Sequence, residues 1–349
     1  MGGLSRRALL RSAISVGGSA IVAAACGSLV SIPRATNAPA PARLTSLRIS
    51  DSQVSGNFLP TYIALDGGVF RANGLDASLT VGQSSATMAS LLAGEIDVGE
   101  TSGPELVNAL AGGADLVAIA TLVPVYPFRL FVQSSIQQPS DLKGQTVAIT
   151  SFGSAIDLAT RVALTRLGLD PKRDVTLLPL SSLSARTSAL LSNQVAGGLS
   201  LPPDWITLEA SGLHSIFDLA QSGVATSVVM QIVQRSDITD KRDIVQSFVD
   251  AIVQAIAREK RDEAFATEAL RKYLKYDDAQ GLKEAYDFYS QLVHPSLPYP
   301  EVAQLQEAYD YGKQDNPAIA NVNLANAVDR SFVESAAKRG LQAPEGYKP

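Results

Sequence analysis

The chain has 349 residues, of which 46% are hydrophobic, 6% aromatic and 18% charged, with a net charge of −5; at ~150 residues per domain it holds about two globular units. That composition excludes general disorder. The lack of an apolar run of ~18 residues beyond the N-terminus excludes a polytopic membrane protein, and with no Lys/Arg block after residue 11 the footprint of a nucleic-acid binder is missing. One Cys and two His leave no room for a zinc cluster, a disulfide framework or an iron–sulfur site, so no metal and no cofactor are expected.

Residues 1–25 combine three Arg and no acid with a run rich in Ala, Gly, Ser, Ile and Val, the pattern of an export signal. Ser5-Arg6-Arg7-Ala8-Leu9-Leu10-Arg11 resembles the twin-arginine consensus. Cys26 follows Ala23-Ala24-Ala25 and resembles the acylated Cys of a bacterial lipobox, although Ala23 stands where Leu is usual. Residues 26–43 then form a tether between membrane and domain. The alternative is cleavage near Ala38, which discards Cys26. Removing residues 1–25 takes the net charge from −5 to −8, and the exported body has no Cys other than the anchor.

A first strand opens at Leu47-Arg48-Ile49-Ser50, and a polar turn leads into a helix through Tyr62-Ile63-Ala64, weakened by Gly67-Gly68 and capped near Gly74. Leu75–Val81 alternates as a second strand, Met88–Ala93 is helical up to Gly94, and Ile96–Gly99 is a third strand. A helix over Glu105–Ala111 and a buried strand over Leu116–Leu122 complete the unit. This alternation indicates βαβ units and a parallel sheet. The pattern then recurs: Val147–Thr150, a turn at Ser151–Ala155 and a helix to Leu167 restate the opening. Gly168-Leu169-Asp170 echoes Gly74-Leu75-Asp76 at an offset of 94, whereas Leu190–Gly198 echoes Leu91–Gly99, and Ala210-Ser211-Gly212 echoes Ala111-Gly112-Gly113, at an offset of 99. The extra residues fall near Pro171–Asp174. Two copies mean two similar α/β lobes and not a solenoid. From Asp240 onward amphipathic helices take over, with a stripe of Ile244, Phe248, Ile252 and Ile256. Further helices are expected at Ala264–Tyr273, Gly281–Val293, Glu301–Tyr311 and Leu324–Gly340. The domain reading is residues 44–124 and 224–349 as lobe 1 and residues 127–222 as lobe 2, with hinges near 123–127 and 222–225.

Ligands of open parallel sheets bind at the carboxyl ends of the strands. The repeat puts four turns at that edge: Ser52–Asn57, Gly82–Ala86, Ser151–Ala155 and Leu180–Ser184. Their small residues expose backbone N–H groups and hydroxyls beside helix N-termini, a chemistry suited to a carboxylate or sulfonate. Ser52, Asn57, Ser151 and Ser182 are candidates on this ground; as single residues they read equally as helix caps. Phe58, Tyr62 and Phe152 line the cleft or pack in the core. Arg186, after Ser181-Ser182-Leu183-Ser184, contacts ligand or pairs with an acid.

Phe58-Leu59-Pro60-Thr61-Tyr62-Ile63-Ala64, Gly68–Asp76, Leu91–Val98 and Asp141–Ala148 resemble, in order and spacing, the nitrate/sulfonate/taurine/thiamine-precursor group of solute-binding proteins over roughly residues 45–340. The resemblance implies a type II periplasmic-binding-protein fold, two Rossmann-like lobes with a helical C-terminal extension. It also implies delivery of a small molecule to an ABC permease by an exported monomer. Gln83, Ser84, Ser85, Thr101, Ser102, Gly153 and Ser154 stand where members of that group contact ligand. The ligand class left open is a sulfonate, a carboxylate or a pyrimidine-like heterocycle. One rival is an enzyme of the same ancestry making the thiamine pyrimidine. Such enzymes need a reactive His, a pyridoxal-phosphate Lys and a Cys-rich motif, while here His214 and His294 fall outside the candidate turns and no G-x-S-x-G, H-E-x-x-H or P-loop occurs. The other rival is a ligand-sensing or structural lipoprotein.

Overall fold

The computed structural model describes residues 44–343. The export signal, Cys26 and the tether lie outside the described residues. The chain lays down β1 (Thr45–Asp51), α1 (Leu59–Asp66), α2 (Val69–Ala72), β2 (Leu75–Val81), α3 (Ser84–Leu92), β3 (Val98–Thr101), α4 (Gly103–Ala111) and β4 (Leu116–Val123). It continues through β5 (Arg129–Val132), β6 (Thr146–Ile149), α5 (Ala155–Arg166), β7 (Thr176–Pro179), α6 (Leu183–Leu191), β8 (Gly197–Ser200), α7 (Asp204–Ala210) and β9 (His214–Asp218). After β10 (Val229–Gln234) come α8 (Asp237–Asp240), α9 (Arg242–Glu259), α10 (Glu263–Leu274), α11 (Ala279–Asp287), α12 (Ala303–Asp315) and α13 (Ser331–Lys338). No described helix is long and apolar enough to cross a membrane.

Two five-stranded sheets result, ordered β2-β1-β3-β10-β4 and β7-β6-β8-β5-β9. In each, the fourth strand runs antiparallel to both neighbours: β10 in the first sheet, β5 in the second. All eight residues of β4 are buried, as expected of a strand covered on both faces. The two passages of chain between the sheets lie side by side, with Val228 N–H donating to the Val123 carbonyl at 2.9 Å and Leu219 N–H to that of Phe128 at 2.9 Å.

The duplication is written into the register. Ile49 pairs with Leu79 and Val98, and Val147 pairs with Leu177 and Gly197, so the copies differ by 98 positions in the first two strands and by 99 in the third. The offset at Gly74 and Gly168, both left-handed, is only 94; the additional residues occupy the Pro171–Asp174 turn ahead of β7. Gly94 ends α3 at φ +71°, and Asn193 ends α6 at φ +57°, Asn being the non-glycine residue that tolerates this region best.

Two expectations shift, and His214, outside the candidate turns, opens β9. The third strand sits two residues later than Ile96–Gly99, at Val98–Thr101. Leu324–Gly340 is not one helix: Ala118 of β4 donates to the Ala327 carbonyl and accepts from Asp329 N–H, each at 2.9 Å. This bridge on the edge strand draws the segment out of helical geometry until α13. The α9 stripe is buried at Phe248, Ile252 and Ile256 and only half-buried at Ile244. Each fully buried side chain of this kind contributes ~1.5–3 kcal/mol, and Phe248 stacks on Phe70 with ring centroids 5.8 Å apart.

A π-helical turn over Phe288–Val293 carries Tyr289, which is fully buried. Its hydroxyl donates to the Pro202 carbonyl at 3.1 Å, and its ring lies so close to Gly56 that a Cβ there would stand 2.0 Å from it. Gly56→Ala is therefore expected to destabilise the fold by ~1–3 kcal/mol through overpacking, read in urea denaturation. An unchanged midpoint would mean that the Tyr289 ring is free to move aside.

Candidate functional site

The carboxyl ends of the parallel strands in the two sheets face one another across three cavities. The central one, about 20 Å³, is lined from the first sheet by Ser52, Gln53, Asn57, Phe58, Ser84 and Ser102, and from the second by Phe128, Thr150, Ser154 and Ile156. On one flank a chamber of about 420 Å³ is lined by Gln53, Ser55, Gln83, Ser182, Asp204 and Tyr273. On the other, a chamber of about 690 Å³ is lined by Ser85, Met88, Leu92, Asn108, Ser151, Phe152, Gly153 and Tyr311. All four candidate turns thus converge on one interface.

Several helix N-termini reach these walls, and they are not equivalent. At α4, Glu105 accepts from Ser102 N–H at 2.9 Å, from Ser102 Oγ at 2.8 Å and from the Thr101 hydroxyl. At α5, Asp157 accepts from Gly153 N–H at 2.9 Å and from Arg161 Nε at 2.6 Å. Both positive ends are neutralised by their own acids. The first turns of α3 and α6 carry no acid, leaving their termini electropositive.

Arg186, in the second turn of α6, is 1% exposed. It forms no ion pair among the described residues: Nη1 donates to Thr150 Oγ1 at 2.8 Å and reaches the Leu180 carbonyl at 3.4 Å, while Nε and Nη2 find no acceptor. Burial holds its pKa down to about 10. Of the two roles open to Arg186, pairing with an acid is not what the structure contains. Thr150, its anchor, lines the central cavity.

Behind the opposite wall, Asp51, Glu100 and Gln231 form a row across β1, β3 and β10, all fully buried. Glu100 Oε1 accepts from Thr61 Oγ1 at 2.7 Å and Gln231 Nε2 at 2.6 Å. Both oxygens of Asp51, Glu100 Oε2 and the Tyr62 hydroxyl lack a well-formed hydrogen bond, although Asp51 stands close enough to Glu100 and Tyr62 to interact with both. Burial and the neighbouring Glu100 push the Asp51 carboxyl well up, and burial also raises Glu100; two carboxyls so placed hold a proton between them. The same row in the second sheet is Ile149, Leu199 and Leu130, so the fold itself does not call for acids here. His294 and Glu259 pair at 2.8 Å with both side chains buried, and His294 Nε2 lies 3.2 Å from the Asn57 carbonyl. His294 therefore backs the first turn, contrary to its expected place away from it.

Of the predicted residues, Ser52, Asn57, Phe58, Ser84, Ser102 and Ser154 line the central cavity, Gln83 and Ser182 the 420 Å³ chamber, and Ser85, Ser151, Phe152 and Gly153 the 690 Å³ chamber. Asn57 is fully buried with both amide atoms unpartnered. Tyr62, Thr101 and Arg186 line none of the three: Tyr62 stacks on Tyr273 at 3.9 Å, Thr101 serves Glu105, and Arg186 reaches the central cavity only through Thr150. Thr150, Gln53, Asp204 and the acid row were missed. Reading the repeat for differences between the copies, instead of for echoes, exposes Asp51 and Glu100 against Ile149 and Leu199. Among the described residues no group of three His, Cys, Asp or Glu is placed to hold a metal ion.

Two facing α/β lobes of this topology have the fold of periplasmic binding proteins, the fold of ABC-import solute-binding proteins. The alkanesulfonate-binding protein SsuA from Xanthomonas axonopodis pv. citri, bound to MOPS, superposes with TM-score 0.67 at 20% identity over 83% of this chain and 99% of its own. The periplasmic nitrate-binding protein NrtA from Synechocystis PCC 6803 gives TM-score 0.68 at 12% identity, over 85% and 89%. The desulfurization enzyme DszB also shares the fold, with TM-score 0.62 at 16% identity over 85% and 99%. No curated protein matches by sequence. Residues 55–262 match the NMT1/THI5-like family, and the chain belongs to that family.

Proposed function

We propose that this protein is an exported solute-binding protein that captures a small organic molecule with an anionic group between its two lobes and delivers it to an ABC permease. The observation that carries the reading is Arg186: a buried guanidinium with no acid in ion-pair contact, Asp204 acting on it only through space, and with Nε and Nη2 both unpartnered, fixed to a hydroxyl of the central cavity. Leaving such donors unpaired costs ~1–3 kcal/mol, a cost that an anion reaching the cavity removes. The acid-free N-termini of α3 and α6 add to the pull, whereas those of α4 and α5 are already occupied. The residues proposed to contact ligand are Ser52, Asn57, Phe58, Ser84, Ser102, Ser154, Gln83 and Ser182, with Arg186 acting beside Thr150.

A central cavity of about 20 Å³ holds one water, so entry of an organic group requires the lobes to part. We assign the hinge to the paired passages at 123–127 and 222–225, with closure by rotation of one lobe on the other. Export and attachment through acylated Cys26 complete the proposal, with the protein acting as a monomer. Binding without turnover is favoured because no Cys or His lines any of the three cavities.

The test is a thermal-shift and calorimetric screen of nitrate, alkanesulfonates, short carboxylates and aminopyrimidines on the purified protein. A true ligand at 100 times its Kd raises stability by ~2.7 kcal/mol, and solution scattering should show a smaller radius of gyration with ligand. No shift with any compound would favour a structural lipoprotein, and slow product formation would favour an enzyme.

A further inference from the structure

The repeat supplies an internal comparison at the start of α4 in the first lobe and of α7 in the second. In the first copy the acid is Glu105, consumed by its own helix: its carboxylate takes Ser102 N–H, Ser102 Oγ and the Thr101 hydroxyl. The position 99 residues later is Asp204, on α7. Here the two preceding residues are Pro202 and Pro203, which have no N–H to donate, and no side-chain cap closes the start of α7. The Asp204 side chain, one methylene shorter than Glu105, instead turns to α6, where Oδ2 accepts from Thr187 Oγ1 at 2.5 Å. That is its one hydrogen bond among the described residues, so Oδ1 is relieved of the capping duty its counterpart performs.

Asp204 lines the 420 Å³ chamber. Two further acceptors in that lining are unpartnered: Gln53 Oε1 and Ser55 Oγ, the latter on a residue only 1% exposed. Tyr273, held flat against Tyr62 at 3.9 Å, supplies an aromatic wall. Lys275 is at the rim and exposed, where solvent screens its charge. A chamber with a half-buried carboxylate and unused carbonyl and hydroxyl oxygens takes hydrogen-bond donors, not a second anion.

We infer that Asp204, with Gln53 and Ser55, forms a donor-binding subsite, so that the ligand is bipolar: an anionic end toward Arg186 and an amine, amidine or hydroxyl end in the 420 Å³ chamber. This rests on the solute-binding reading above and narrows it. The burial that raises the Asp204 pKa is offset only in part by the Thr187 hydroxyl and by Arg186 acting through space, and is relieved further when a cationic or N–H group settles beside the carboxylate. Gln53 borders both the central cavity and the chamber, so one short molecule spans the two.

The test uses matched probes on the full chain by calorimetry: propane-1-sulfonate against 3-aminopropane-1-sulfonate, and butyrate against 4-aminobutyrate. In the native protein the amino member of at least one pair is expected to bind about tenfold or more tightly, the value of one charge-assisted hydrogen bond. Asp204→Asn, which keeps an oxygen for Thr187, should bring the two members within about threefold, and Gln53→Met should reduce the gap without touching α7. If the plain anions bind as well as their amino forms, or Asp204→Asn keeps the discrimination while remaining folded by circular dichroism, the subsite is disproved and the anion-binding reading stands. If no member of either pair binds while a compound of the wider screen does, the subsite is disproved and the solute-binding reading stands; if nothing in either set binds, the solute-binding reading itself is overturned.

Discussion

Replacing Arg186 by Met is expected to abolish ligand binding while leaving the ligand-free protein as stable as before, or more stable. Removing one partner of a buried charged hydrogen bond costs ~2–5 kcal/mol, which at ~1.4 kcal/mol per decade weakens binding by about 30-fold to a few thousand-fold. The ligand-free fold gains, because the guanidinium Nε and Nη2 without acceptors disappear with the side chain, and Met fills much of the same volume. The Thr150 and Leu180 contacts and the through-space attraction to Asp204 are lost in exchange. Calorimetry with the compound that shifts the native melting point, beside a melting curve of the empty variant, separates the roles. A variant that loses stability as steeply as affinity would make Arg186 a structural residue.

Substituting Asp51 with Asn should invert the usual expectation for a buried charged residue and stabilise the protein at neutral pH. An Asp in the unfolded chain titrates near ~3.9; in the fold, burial and Glu100 hold the proton on to higher pH. A carboxyl whose folded pKa is raised contributes stability below the unfolded value and loses it as pH climbs through the folded one. The native protein should therefore weaken as pH rises from about 4. The replacement amide cannot ionise and keeps a donor toward Glu100 at every pH, where the native pair depends on a shared proton, so the slope flattens. A gain of ~1–3 kcal/mol at pH 7 is expected, the usual cost of an unsatisfied buried polar group. Urea denaturation between pH 4 and pH 8 measures it, with Glu100→Gln as a second variant. A parallel loss of stability at all pH values would show that the Asp51 charge is needed by the fold.

The parts of the molecule that could be read from its residues are those governed by short-range periodicity. Alternation over Leu75–Val81, the unbroken apolar run at β4 and glycines placed to end helices all act within a dozen positions, the echo at an offset of 99 repeats such local patterns, and each is found in the fold. What escaped reading depends on which strands become neighbours. Asp51 and Glu100 look like ordinary strand-end polar residues until the order β2-β1-β3 sets them side by side. The break after Leu324 depends on an exposed edge of β4 some 200 positions earlier. Arg186 could be singled out from its place after Ser182, but its want of an acid partner could not, since that depends on Asp204 turning to Thr187. The candidate turns were found by their composition; the division of their residues among three cavities of different character was not.

The chain passes between the sheets twice, and the passages are bonded edge to edge by Val228 and Leu219. Two adjacent ribbons behave like the paired leaves of a door: they bend about a shared line but resist torsion, because twisting would shear those bonds. If the lobes close about this line as proposed, they meet in the same alignment at every cycle, and recognition can rely on groups drawn from both sides, such as Asn57 and Thr150 of the central cavity.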